Sequence, residues 1–348
     1  MNKLSIVLVA LAAVVSTAAQ AQSLPKTHLK VVGGLSNLTP YTEFEKPFWT
    51  SKVPALSNGQ ITAEIRGFNE MGLKGPELLR LMSQGVVEFG TATLSYFASD
   101  DPINEAVDLA GLTTDAKTQR EVVNAFAPIY ARHYGGAGGV KLLGLSPYPA
   151  QVLFCNAEIK SLGDLKGKKV RTSSRTQAEL IEALGGTSVT LAFAEVVPAM
   201  QNKVVDCAIT GSMSGFSAKW YEVSTHLLAL PINWNPQIHA VNQKAWDRLD
   251  PKVQAFLQTN ISKMIDDMWA GAAAQTQMGY DCNAGTAACT APVRGKMTLV
   301  QPSEADRAQL KRLMNEVVLP KWAARCSAQC VSDFNATVGK TLNLTARK

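Results

Sequence analysis

The 348-residue sequence has no apolar run near the roughly 20 uninterrupted residues that a membrane-spanning helix needs. Its four histidines, His28, His133, His226 and His239, are widely scattered, and no C-x-x-C pair occurs, so no zinc ligand set is in view. H-E-x-x-H and the phosphate loop G-x-x-x-x-G-K-[ST] are absent. The nearest approach to G-x-S-x-G is "GSMSG" at Gly211 to Gly215, which carries Met213 where a nucleophile would stand. "GGAGG" at Gly135 to Gly139 lacks dinucleotide-loop spacing and reads as a turn. Charged residues are only 18%, and the net charge of +6 is spread along the chain rather than gathered in a stripe with aromatics, so nucleic acid is not an expected partner. A mild positive field does suit small anions. No cofactor and no metal is expected.

What is present begins with an export signal. Met1 to Lys3 give a positive start, Leu4 to Val15 a short apolar stretch, and Ala19 and Ala21 the small residues of an A-x-A cleavage site. The expectation is a periplasmic protein cut after Ala21. About 325 residues then remain, more than a typical single core, which suggests two lobes. Six cysteines in an oxidising compartment point to disulfides, and six allow 15 pairings. The local choices are Cys282 with Cys289 and Cys326 with Cys330, leaving Cys155 for Cys207.

Periodicity supplies the fold class. "HLKVVGG", "QITAEIRGF" and "VVEFGTAT" read as strands separated by helical stretches, a β-α-β-α-β succession. The rhythm restarts after "GGAGG" with "VKLLGLS", "AQVLFCN", "KKVRTS", "TSVTLAF" and "VVDCAITG". "NISKMIDDMWAGAAAQTQ" places Ile261, Met264, Ile265, Met268 and Trp269 on one helical face, and Ser303 with Asp306 forms a capping box for a late helix. We therefore expect an α/β protein of two lobes, each lobe a mostly parallel sheet flanked by helices, with a long late helix crossing between them. Residues 22–149 with about 236–278 would form the first lobe, residues 150–235 with about 279–330 the second, and 331–348 a C-terminal tail.

Ligands of open α/β sheets sit at the carboxyl ends of strands. Arg171 ends a short β run there, and a guanidinium makes two parallel charge-assisted bonds to a carboxylate. Ser173 and Ser174 follow and can cap the next helix. On the facing lobe, Asn37, Asn69, Glu70, Ser95 and Tyr96 fall at strand ends, and Trp234, Asn235 and Gln237 near a lobe crossing.

The block "SLGDLKGKKVRTSSRTQAELIEALGGTSVTLAFAEVVPAMQNKVVDCAITGSMSGFSAKWYEVSTHL" resembles the substrate-binding subunits of tripartite ATP-independent periplasmic (TRAP) transporters. Their L-K-G-x-K-[IV]-R, A-L-G-[AG], E-[VL]-x-x-A-[LM]-Q and Y-E-V elements occur in order at matching spacing; the likeness extends more weakly to the amino-terminal lobe, covers most of residues 29 to 320 and implies the two-lobe periplasmic-binding fold. The resemblance implies that Arg171 binds the carboxylate and that Phe193 walls the ligand. It places Thr210 where relatives often have an asparagine, Cys207 where they have a glycine, and Gln151 near a second arginine of sugar-acid binders. A hydroxyl cannot offer an amide's two donors, so a compact or more apolar acid is expected over a polyol.

The resulting expectation is a monomeric periplasmic receptor, not an enzyme, that closes over a small organic anion and delivers it to the membrane permease subunits of a TRAP transporter. An enzyme or a sensor of small acids on the same scaffold is the alternative.

Overall fold

The computed structural model describes residues 24–348; the expected leader and its cleavage site lie outside them. Eleven strands run in chain order as β1 (Thr27–Gly33), β2 (Ile61–Gly67), β3 (Phe89–Thr93), β4 (Val140–Ser146), β5 (Gln151–Cys155), β6 (Lys169–Thr172), β7 (Thr187–Thr190), β8 (Cys207–Gly211), β9 (His226–Asn233), β10 (Gln237–Asn242) and β11 (Thr298–Val300). They form two sheets, one ordered β2-β1-β3-β10-β4 and the other β11-β9-β5-β8-β6-β7.

Both sheets are mixed rather than mostly parallel. β1 pairs in parallel with β2 and β3, and β6 with β7 and β8, as the β-α-β succession demands. β10 runs antiparallel to β3 and β4, and β5 antiparallel to β8 and β9. These are strands that arrive from the other sheet. A parallel neighbour needs a crossover on its own sheet, whereas β10 enters directly from β9 through residues 234–236 and meets β3 head-on.

The long helix Pro251–Ala284 has 34 residues. Asp250 caps it by accepting from the Lys252 N–H at 2.8 Å, Pro251 opens it, and Gly285 at φ 75° closes it. Ile261, Met264, Ile265, Met268 and Trp269 are all buried. The helix spans both sheets: the Trp269 indole donates to the Leu145 carbonyl at 2.9 Å, and two turns later Thr276 Oγ1 accepts from the Ala150 N–H at 2.9 Å while its carbonyl accepts from Ser212 Oγ. Chain therefore passes between the sheets at residues 147–150, at 234–236 and along this helix.

Asp108 fixes the second crossing. Its buried carboxyl accepts from the Asn233 amide at 2.7 Å and from the N–H groups of Trp234 and Asn235 at 2.7 and 2.9 Å. Burial pushes its pKa up to about 7 in spite of these three donors.

Residues 331–348 are not a loose tail. Helical from Ala328 to Leu342, this segment buries Val331, Phe334 and Val338, sets Phe334 against Trp322 with ring centroids 4.8 Å apart, and ties Ala346 back to Asn335 through two hydrogen bonds. The apolar spacing of those three side chains is what docks it. Ser303 and Asp306 form the expected capping box, with the helix following at Glu304–Leu313. The three cysteine pairs are Cys155–Cys207, Cys282–Cys289 and Cys326–Cys330. Among the described residues, no helix is long and apolar enough to cross a membrane.

Candidate functional site

Arg171 stands on β6 between β7 and β8, paired in register with Val189 and Ala208. Its side chain is 2% exposed. Nε and Nη2 both donate to the Leu191 carbonyl, at 3.0 and 2.9 Å, and Nη1 donates to the Ile209 carbonyl at 2.9 Å. Leu191 directly follows β7, and Ile209 lies within β8. A guanidinium has five N–H donors, so one on Nη1 and one on Nη2 remain, the pair a carboxylate can take together. No carboxylate of the described residues forms an ion pair with it. Burial lowers its pKa to about 10, which leaves it ionised at neutral pH.

Two spaces meet at this guanidinium. An inner chamber of about 20 Å³, room for little more than one water, is lined by Arg171, Gln151, Thr210, Ser214 and Phe193 from the second-sheet side and by Thr93, Tyr96, Tyr148 and Asn235 across from them. It opens into a cleft of about 650 Å³ that shares Arg171, Ser173 and Tyr96. The chamber is thus narrow. Across the mouth of the cleft, Lys74 and Glu195 form an exposed ion pair at 3.2 Å.

Local chemistry fixes the chamber wall. Ser174 Oγ caps the helix Arg175–Ala183 by accepting from the Gln177 N–H. Gln177 Oε1 accepts from the Ser173 N–H at 2.8 Å, and its amide donates to Asn233 Oδ1 at 2.9 Å, so the residue beside Arg171 is wired to the crossing that Asp108 holds. The positive end of that helix is already occupied: Glu105 accepts from the Thr176 N–H at 3.0 Å and is itself paired with Arg325. Ser173, Ser174 and Arg175 of that turn line the cleft, with the Ser173 N–H and hydroxyl both donating to Gln177 Oε1.

A bacterial extracellular solute-binding protein family 7 (DctP) profile matches residues 34–324. The chain belongs to this family. It is 24% identical over 215 residues, 60% of its length, to the C4-dicarboxylate-binding periplasmic protein of Rhodobacter capsulatus, and that match spans 63% of the relative. The chain therefore aligns with less than two thirds of that curated relative. In structure, this DctP-family chain superposes with TM-score 0.80 on a TRAP periplasmic solute-binding protein from Desulfovibrio salexigens with bound orotic acid, at 18% identity, covering 91% of this chain and 98% of the other. A Bordetella pertussis extracytoplasmic solute receptor binding pyroglutamic acid gives TM-score 0.79 at 22% identity, covering 91% and 99%. The family is extracytoplasmic, and the two-sheet architecture is that of its solved members.

Within this DctP-family chain, seven residues singled out in the sequence converge on the chamber: Arg171, Ser173, Phe193, Thr210, Gln151, Tyr96 and Asn235. Gln151 Nε2 is turned to the Pro149 carbonyl at 3.1 Å. Ser95 lines the cleft and donates to Asn235 Oδ1 at 2.8 Å, so it orients its neighbour. Three expected residues stand elsewhere. Asn37 and Asn69 line a separate crevice with Phe193 and Trp220, and Asn69 is spent on loop structure, accepting from the Ser36 N–H at 2.9 Å. Trp234 is 2% exposed in the core beside Val152 and Phe154, because Asp108 holds its backbone inward. The residue after it, Asn235, reaches the chamber instead.

Sequence reasoning missed Thr93, Tyr148 and Ser214. Ser214 follows "GSM" in a motif read only for a nucleophile. Its hydroxyl is buried without a hydrogen-bond partner.

Proposed function

We propose that this chain is the solute receptor of a TRAP-type transporter, capturing a small organic acid between its two sheets and handing it to membrane permease subunits. Arg171 takes the carboxylate through its two remaining N–H groups, Phe193 packs on the ligand body, and Thr210 with Gln151 adds polar contacts. The observation that carries this reading is a fully buried guanidinium with no carboxylate partner, since an uncompensated buried charge is expensive unless a ligand completes it. Orotic and pyroglutamic acid, bound by the structural neighbours, are compact cyclic acids; the chamber of about 20 Å³ would have to widen toward the cleft to take one. Closure around the ligand removes water and strengthens the ion pair. The mature chain would begin after Ala21 and act as a monomer.

Thermal-shift screening of the purified protein against a library of small organic acids tests the reading. A bound acid raises the melting temperature by mass action, and the same acid has no effect on Arg171→Ala. A library that leaves the transition of the wild-type protein unmoved removes the receptor assignment.

A further inference from the structure

Among the described residues, the four cations that border the cleft leave one positive charge for one carboxylate once each is followed to its partners. Lys74 is paired with Glu195 at 3.2 Å, Arg175 with Glu179 at 3.5 Å, and Arg325 with Glu105 at 3.2 Å and also with Glu179. Arg171 alone is bound only to carbonyl oxygens. The cleft also carries Glu182, which accepts from Ser188 Oγ at 3.0 Å. A second carboxylate on the ligand, directed outward, would meet cations already neutralised and an additional acid.

Directed inward, it would fare no better. The chamber's far side offers the hydroxyls of Tyr96 and Tyr148, both leaning on Thr93, and the Asn235 amide. Burial raises the pKa of both phenols, so they remain neutral donors. Behind them lies the buried carboxyl of Glu45, which accepts from the Gly34 N–H at 3.1 Å. A Cβ placed on Gly34 would stand 3.0 Å from Glu45 Oε1, 3.1 Å from Gln237 Oε1 and 3.9 Å from the Tyr148 hydroxyl, so these groups meet behind the wall, where Tyr148 alone of them reaches the chamber. Gln237 is fully buried with both amide atoms unpartnered, and Ser214 Oγ is an unpartnered hydroxyl in the chamber itself. This wall can satisfy neutral polar groups. It cannot neutralise an anion, and a buried unpaired charge is strongly disfavoured.

We propose that the site selects a singly charged carboxylate whose other polar groups are neutral (hydroxyl, keto or amide), and discriminates against dicarboxylates of the same size. This rests on the receptor reading above and narrows it. The inference runs against the dicarboxylate specificity in the name of the Rhodobacter capsulatus relative.

Isothermal titration calorimetry at pH 7.5 with matched pairs isolates charge from shape: succinate against succinamate and glutarate against glutaramate, with pyroglutamate and orotate as cyclic monoanions. The tightest ligand is expected to be a monoanion, and each amide acid to bind at least about tenfold more tightly than its dicarboxylate, the minimum that an unneutralised buried carboxylate implies. A dicarboxylate that binds as tightly as its amide partner, or that proves the tightest of the set, overturns the inference and leaves the receptor reading standing. If no member of the set binds, both fall.

Discussion

Arg171 is seated on three main-chain hydrogen bonds before any ligand arrives, so its guanidinium is already oriented and loses little freedom on binding. Replacing it with alanine removes the one cation of the cleft that, among the described residues, has no carboxylate partner. Arg171→Ala is expected to weaken binding of the acid found by screening by about 3–5 kcal/mol, roughly 10² to 10³ fold or more, because the ligand carboxylate is then buried without a partner. Calorimetry on the two proteins checks this, and equal affinities would take Arg171 out of the site. A strand-end arginine was legible in the sequence because a charge interrupts an apolar run. Ser214, Tyr148 and Thr93 were not, since they reach the chamber from three segments that only the tertiary fold brings together. Trp234 misled for the opposite reason: a large aromatic at a crossing suggests a ligand wall, yet Asp108 turns its backbone so that the indole joins the core.

At the scale of elements, β6 owes its position to β8, and β8 is stapled to β5 by Cys155–Cys207, a bond that closes a loop with sequence separation 52. A loop of that length constrains the unfolded chain considerably. The double variant Cys155→Ala with Cys207→Ala is expected to lose about 2–4 kcal/mol of stability in urea unfolding while keeping its ligand affinity, because neither sulfur lines the chamber. A large loss of affinity in the folded double variant would instead show that the staple sets the position of Arg171. The strands β1 to β8, the middle of the long helix and the capping box at Ser303 could be read from apolar period and cap chemistry, whereas β9, β10 and β11 were not. Strand direction could not. Whether β10 pairs parallel or antiparallel depends on which sheet the chain has just left, and no local pattern records that.

For the whole molecule, buried ionisable groups set the pH dependence. Burial raises Asp108 from 3.8 to about 7 and Glu45 from 4.5 to about 7, and raises Glu105 as well. As pH climbs, the unfolded chain gives up these protons first, so each acid subtracts stability between its unfolded value and its native one. His239 works the other way: burial lowers it from 6.5 to about 4, and it adds stability as pH rises across that interval. Two or more acids outweigh one histidine, and above pH 6.5 the histidine contributes no further change. The midpoint of urea unfolding should therefore fall between pH 5 and pH 7.5. A rising midpoint would mean that the three donors around Asp108 keep its carboxyl ionised. The sheet order carries one more consequence, for the timing of folding. β10 lies between β3 and β4, yet it is made only after β5 to β9, and β11 comes later still. A chain fed out from its amino end cannot close either core until most of its length has emerged, and no single cut would release one contiguous half able to fold by itself. Such an interleaved layout favours a polypeptide that must stay pliable while it is threaded through a narrow passage and set hard only on the far side.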